Sequence, residues 1–211
     1  MKYSINFIAL ASTICLLGCG GGGGDSTAAP SISSGLKIFV TKEVHNGDFA
    51  NDPTLPGSTA IQKADAFCSS SSSKPSNDSY KALIVDGVNR DAVTLTDWVL
   101  RPNTSYYQTH DNVLVDVTTS AATFAAYFRS MPHSVLPTCP NCSSPGAWTG
   151  IGDGASFSST AACARWGQSG SIVGQAGTFG SPGSSGPFAF YSGGSAADCV
   201  SVQLALYCVQ Q

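Results

Sequence analysis

Six cysteines in the body of the chain, Cys68, Cys139, Cys142, Cys163, Cys199 and Cys208, constrain the fold more than any other feature. An even set of this kind in an oxidising compartment is read as a disulfide framework, which fixes distant segments against one another. Six cysteines allow fifteen pairings, and spacing alone does not choose among them. The remaining two, Cys15 and Cys19, belong to the N-terminus.

That N-terminus supplies the compartment. Lys2 is followed by an almost wholly apolar stretch, Phe7 to Leu17. About ten such residues are too few to span a bilayer, which needs about twenty, but they suit the apolar region of a signal peptide. Leu16-Leu17-Gly18-Cys19 resembles the bacterial lipobox, with Leu17 bulkier than usual at its position. The resemblance implies cleavage before Cys19 and acylation of that residue, and Cys15 would leave with residues 1–18. Gly20 to Gly24 and the Ser-rich run to Gly35 have the composition of flexible chain, so residues 19–35 are expected to be a tether. Gly20, where an aspartate would retain the protein at the inner membrane under enterobacterial sorting rules, favours the outer membrane. The head is expected at the cell surface, with the periplasmic face as the alternative.

Loss of Lys2 takes the ten basic residues to nine against thirteen acidic, a formal charge of −4. Nucleic-acid binding needs clustered Lys and Arg to displace counterions, and Arg90, Arg101, Arg129 and Arg165 are scattered. The membrane is therefore expected as a partner through lipid only, with no nucleic acid. Residues 36–211 are long enough for one domain with a sizeable core.

Along that domain, Leu36 to Val44 is β-branched and aromatic and reads as a first strand. Thr59-x-x-Gln62 fits a capping box for a helix to about Ser69, with Ile61, Ala64, Phe67 and Cys68 on one face. Tyr80 to Asp86 reads as a second strand, Asp97 to Leu100 as a short strand or extended segment and Val113 to Val117 as a further strand. Phe124, Tyr127 and Phe128 fall at helical spacing within Thr119 to Arg129. Beyond it glycine, proline and serine dominate, so the class is α+β: two to three short helices, a mixed antiparallel sheet and long loops.

Several segments together carry a family resemblance. They are Ala64-Asp65-Ala66-Phe67-Cys68, Trp148-Thr149-Gly150, Cys163-Ala-Arg-Trp166, Gly174-Gln175-Ala176, and Ala196-Ala197-Asp198-Cys199 through Leu206-Tyr207-Cys208. This pattern resembles the C-type-lectin-like fold, in particular the endostatin domain of collagen. The Phe-Val-Thr start, Lys81-Ala-Leu-Ile-Val-Asp86-Gly and the Tyr-Cys-Val ending are similar to bacterial lipoproteins carrying domain of unknown function 1554. The resemblance covers about residues 36 to 210. It implies nested bridges, Cys68–Cys208 outside and Cys163–Cys199 inside, with first and last strands paired and binding loops at the far end. Cys139-Pro-Asn-Cys142 is left as a local disulfide, a redox pair, half of a zinc site or a cross-pairing. The local disulfide is favoured because no thioredoxin-like βαβ pattern or second C-x-x-C surrounds it.

Chemistry is sparse. Calcium-binding lectins of this fold use Glu/Gln-Pro-Asn and Trp-Asn-Asp motifs, and neither is present. Glu43 is the only glutamate, and Asp153 stands alone where calcium needs six to eight oxygens. His45, His110 and His133 match no metal spacing, and no G-x-S-x-G occurs. Neither endostatin's zinc ligands nor its arginine surface carries over. Trp98, Trp148 and Trp166 are expected in the core. Arg90 either grips a ligand carboxylate or pairs with Asp86 or Asp91.

The expected function is a non-catalytic, calcium-independent, adhesin-like module binding protein or glycan, with no cofactor and no metal. Its contact residues would be Gln175, Phe188, Phe190 and Tyr191 on a loop of adaptable polar residues beside aromatics, with Asp86, Asn89 and Arg90 as a second candidate. A structural envelope lipoprotein is the alternative, and an envelope enzyme a further one.

Overall fold

The last strand explains the sheet. Its sequence, ALYCVQ, is apolar at nearly every position, which suits a strand covered on both faces rather than one. The computed structural model describes residues 35–124, 146–151, 162–167, 176–180 and 196–211. Its strands are β1 (Leu36–Val40), β2 (Tyr80–Ala82), β3 (Ser105–Gln108), β4 (Leu114–Val117), β5 (Ala147–Trp148), β6 (Ala176–Gly180), β7 (Ala196–Asp198) and β8 (Ala205–Gln210). They form a mixed sheet in the order β4-β3-β1-β8-β5-β6-β7, and β2 also pairs with β8. The class is α+β, with helix α1 (Ala60–Ser70) on one face.

The first and last strands pair antiparallel at the centre, Ile38 opposite Val209 and Val40 opposite Tyr207. Alternation then sorts side chains to the two faces. Ile38, Val40, Tyr207 and Val209 join one core cluster with Leu83, Tyr106 and Phe124. Phe39, Leu206 and Cys208 join the other, beneath Ile61, Ala64 and Cys68 of α1 and beside Trp148 and Trp166. Trp98 packs, partly buried, against the first cluster.

Helix α1 begins as its capping signal implies. Thr59 Oγ1 accepts the Gln62 amide at 3.2 Å, but the returning Gln62 side chain meets Ser58, one residue earlier than in a standard box. Cys68 points inward and is bridged to Cys208, closing a separation of 140 residues. On the chain-entropy model that closure contributes about 5 kcal/mol. Cys163 and Cys199 form the inner bridge. Gly47 passes directly over it, since a Cβ there would lie 2.5 Å from Cys163 Sγ. Cys163 to Trp166 form one turn of left-handed backbone, with φ of 47, 50, 62 and 62°. Such residues cost roughly 1–2 kcal/mol each. The inner bridge and the Trp166 indole, donating to Val85 O at 2.8 Å, hold the turn in place.

Several expectations need correction. Strand β1 stops at Val40, because the Thr41 hydroxyl turns to the Glu43 carbonyl and accepts the Leu206 amide. Strand β2 stops at Ala82, although Leu83 and Val85 still donate to Tyr207 O and Thr149 O. Asp97 to Leu100 is not a strand, and Asp97 has φ 42°. The described part of the helix expected over Thr119 to Arg129 is a turn. Thr119 Oγ1 accepts the Ala121 amide, Ala122 has φ 56°, and Phe124 bridges back to Thr118. A hydroxyl offering the backbone a local bond competes with helix in this way. Residues 125–129 lie outside the described segments.

Candidate functional site

Strand β2 pairs with β8 along one edge, and among the described residues no strand pairs along the other. Ser79 O, Leu83 N–H and the Lys81–Val209 pairing face β8, so by alternation Tyr80 and Ala82 direct their peptide groups away from it. A buried peptide group without a partner would cost roughly 1–3 kcal/mol. At Ala82 two side chains supply the partners. Asp65 of α1 accepts the Ala82 amide at 2.8 Å, and Arg90 Nη1 donates to the Ala82 carbonyl at 2.7 Å. Asp65 and Arg90 are themselves paired through both guanidinium ends, at 2.9 and 2.8 Å. The ion pair thus stands in for one residue of an adjoining strand.

Arg90 is fully buried. Its remaining donors reach Asp97: Nη2 to Oδ2 at 2.5 Å, and Nε to the carbonyl at 2.9 Å. Lys81 holds the other Asp97 oxygen. Two cations and two carboxylates therefore close on one another. Burial alone would raise the Asp97 carboxyl, but bonds from Lys81 and Arg90 outweigh it and hold it below its usual value. Arg90 is likewise held above its usual value against burial by Asp65 and Asp97.

Asp86 serves the same loop from within. It is 3% exposed, and Oδ1 accepts the amides of Val88, Asn89 and Arg90 at 2.9, 2.7 and 3.0 Å. The Asn89 side chain donates to Oδ2 at 2.7 Å. Burial opposes ionisation here too, and these four bonds overcome it, so the carboxyl sits below its usual value. Of the second candidate set, Asp86 and Arg90 are internal and Asn89 is exposed but tied to Asp86. Arg90 pairs with Asp65 and Asp97 rather than with the expected Asp86 or Asp91. The signal for Asp65 was its place three residues before Cys68, on the inward side of α1.

The loop changes character beyond Arg90. Asp91 Oδ1 accepts the amides of Val93 and Thr94, and Asp91 bridges Thr96 across the turn. Val93 and Leu95 point outward, 66% and 51% exposed, as does Val88 at 51%.

Other acidic groups brace the frame. Glu43 accepts the hydroxyls of Ser71 and Ser72, both at 2.6 Å, joining the end of β1 to the end of α1. Burial works against its charge, yet the serines bring its pKa to about 2. Asp52 is also lowered to about 2, first by the Thr54 hydroxyl and then by His45, whose Nε2 lies 2.9 Å away. The His45 ring stacks on Phe49 with centroids 4.1 Å apart. Among the described residues no group of three His, Cys, Asp or Glu side chains could hold a metal, and no helix is long and apolar enough to cross a membrane. Cys19, Cys139, Cys142, Gln175, Phe188, Phe190 and Tyr191, with His133 and Asp153, lie outside the described residues.

Register fixes where the undescribed connections join. The chain enters β5 at Ala147 and leaves β6 at Gly180, and both are level with Ala205. Gly35 precedes β1 beside the other end of β8, at Gln210, about 17 Å away along the strand. A family model described as "Protein of unknown function (DUF1554)" matches residues 44–183, well over half of the chain. No curated protein matches it.

Proposed function

The chain belongs to the DUF1554 family, and from that premise we propose that it is a lipid-anchored outer-membrane protein whose head is a non-catalytic, calcium-independent binding module for protein or glycan. The head is C-type-lectin-like in this reading, supported by the central pairing of first and last strands and by the nested bridges. The observation that carries the function is the division of the head into two ends. Gly35, where the proposed tether would end, lies beside Gln210, while Ala147 and Gly180, where β5 begins and β6 ends, lie at the opposite end of the sheet. A rigid scaffold that presents connecting loops away from its attachment point is the usual arrangement for recognition.

Acylated full-length protein in detergent, with its disulfides intact, would be tested against glycans and extracellular proteins with and without EDTA. Saturable binding that survives EDTA is expected. Binding abolished by EDTA would overturn the calcium-independent reading, and no binding to any probe would overturn the module itself.

A further inference from the structure

The hydrogen bonds at His45 add up in only one protonation state. Its Nδ1 lies 2.6 Å from the Asn46 carbonyl oxygen, and its Nε2 lies 2.9 Å from Asp52 Oδ2. A carbonyl oxygen has no proton to give, so Nδ1 must donate to it. Asp52 has none to give either. Its Oδ1 accepts the Thr54 amide and hydroxyl, and a pKa of about 2 keeps this carboxyl ionised near neutrality. A neutral imidazole has a single N–H and would turn a lone pair on one of the two oxygens. An imidazolium serves both.

The ring is also placed to act on its surroundings. It stacks on Phe49 and meets the edge of Phe67 from α1. Its two bonds fasten both ends of the loop from Asn46 to Asp52. Between those ends the loop lies on the inner bridge. The Gly47 amide donates to Cys199 O at 2.6 Å, and the Ala50 amide to Trp166 O at 2.8 Å. The turn from Cys163 to Trp166 is left-handed at every residue, a conformation that persists only where neighbours hold it. The Ala50 bond is one of its ties. Each element packed here brings its own charged groups. Asp48, on the loop itself, accepts the Asn51 side chain, and from α1 Lys63 Nζ donates to the Ala50 and Asp52 carbonyls. Glu43 turns to Ser71 and Ser72, and Asp198, beside Cys199, accepts the Val200 and Ser201 amides. Arg165 of the turn is exposed, and Trp148, whose indole donates to His45 O, is uncharged.

We propose that His45 is a pH-sensitive latch: its imidazolium holds the loop from Asn46 to Asp52 down on the left-handed turn, and loss of its proton lets that loop lift. The charge change is one proton on one ring, and the element it biases is the turn. The latch is closed where the ring is charged. It opens as pH rises through the range in which histidines change charge, between about pH 5 and 8.

The test uses the full-length acylated protein in detergent, its disulfides intact, at about pH 5.5 and about pH 8.5. Nitrogen-15 spectra of the His45 ring should show two protonated nitrogens at the lower pH and one at the higher. Amide exchange at Gly47 and Ala50, corrected for the intrinsic rate, should lose about tenfold in protection across that interval while Leu83 keeps its own. Asp52→Asn supplies the sharper arm. Its side-chain amide can donate to Nε2 of a neutral ring while Nδ1 still donates to Asn46, so Gly47 and Ala50 should stay protected at both pH values. His45→Gln, with no proton to lose in this range, should exchange equally at both. A ring with one protonated nitrogen at the lower pH would overturn the proposal, as would unchanged protection at Gly47 and Ala50. Parallel loss at Leu83 would mark general loosening of the fold and overturn it too. A pH dependence that survives in Asp52→Asn or His45→Gln would belong to another group and remove His45 as the latch.

Discussion

The two halves of the loop between Asp86 and Asp97 are neighbours in sequence and opposite in use. Asp86 to Arg90 folds its charges inward: the carboxylate organises the turn, and the guanidinium completes the open edge of β2. Asp91 to Thr96 uses one carboxylate to shape its own tip and presents apolar side chains to solvent. A polar, turn-forming stretch beside a strand is thus not by its composition a ligand site. The inward half ties the base of the loop to α1 and β2.

The largest effect should come from the guanidinium. Arg90→Met leaves Asp65 and Asp97 without their buried counter-ion and the Ala82 carbonyl without a donor. Breaking a buried pair from one side costs about 3–5 kcal/mol, so the urea midpoint should fall steeply. Arg90→Lys, which keeps the charge but cannot span both carboxylates and the carbonyl, should fall between the two. A change below about 1 kcal/mol in Arg90→Met would erase the distinction between the halves.

Next comes Asp86→Ala, which strips an acceptor from three amides and from the Asn89 side chain. About 1–3 kcal/mol is expected, read as a shifted thermal midpoint with Val93 and Leu95 less well ordered by NMR.

Acid sharpens the same point. The Asp86 and Asp97 carboxyls are held below their usual value in the folded protein. Their contribution is therefore complete above the unfolded carboxylate range, near pH 4, and is lost as pH falls through their folded values. Stability measured from pH 6 down to pH 2 should decline below about pH 4, and the decline should be shallower in Asp86→Asn. Equal slopes in the two proteins would show that Asp86 contributes no linkage.

The smallest effect belongs to the tip. Leu95→Asn suits a positive φ and removes an exposed side chain, so stability should change by less than about 0.5 kcal/mol. A large loss would mean that Leu95 packs within the fold.

Helix α1 was legible in the sequence because its cap and apolar spacing are local. The core positions of Trp148 and Trp166, and the strands around Ile38, Val115 and Tyr207, were legible for the same reason. Arg90 was legible as a pairing residue but not in its partners. Asp65 lies 25 residues away on α1, and it reaches Arg90 only because β2 has an open edge between them. Strands β5, β6 and β7 are short and built largely of Ala and Gly, so they carry no period and exist through their neighbours. Phe124 carried a helical spacing, but the Thr119 hydroxyl and the packing of Phe124 on Tyr106 bent its segment into a turn. The disulfide partners came from family resemblance, since spacing left fifteen possibilities.

Amide hydrogen exchange at Ala82 tests the central claim most directly. If Asp65 and Arg90 stand in for a neighbouring strand, Ala82 should exchange as slowly as Leu83, whose amide bonds to Tyr207 O. Asp65→Ala should then accelerate Ala82 at least tenfold and leave Leu83 protected. Fast exchange at Ala82 in the unmodified protein, or no change in Asp65→Ala, would contradict the account.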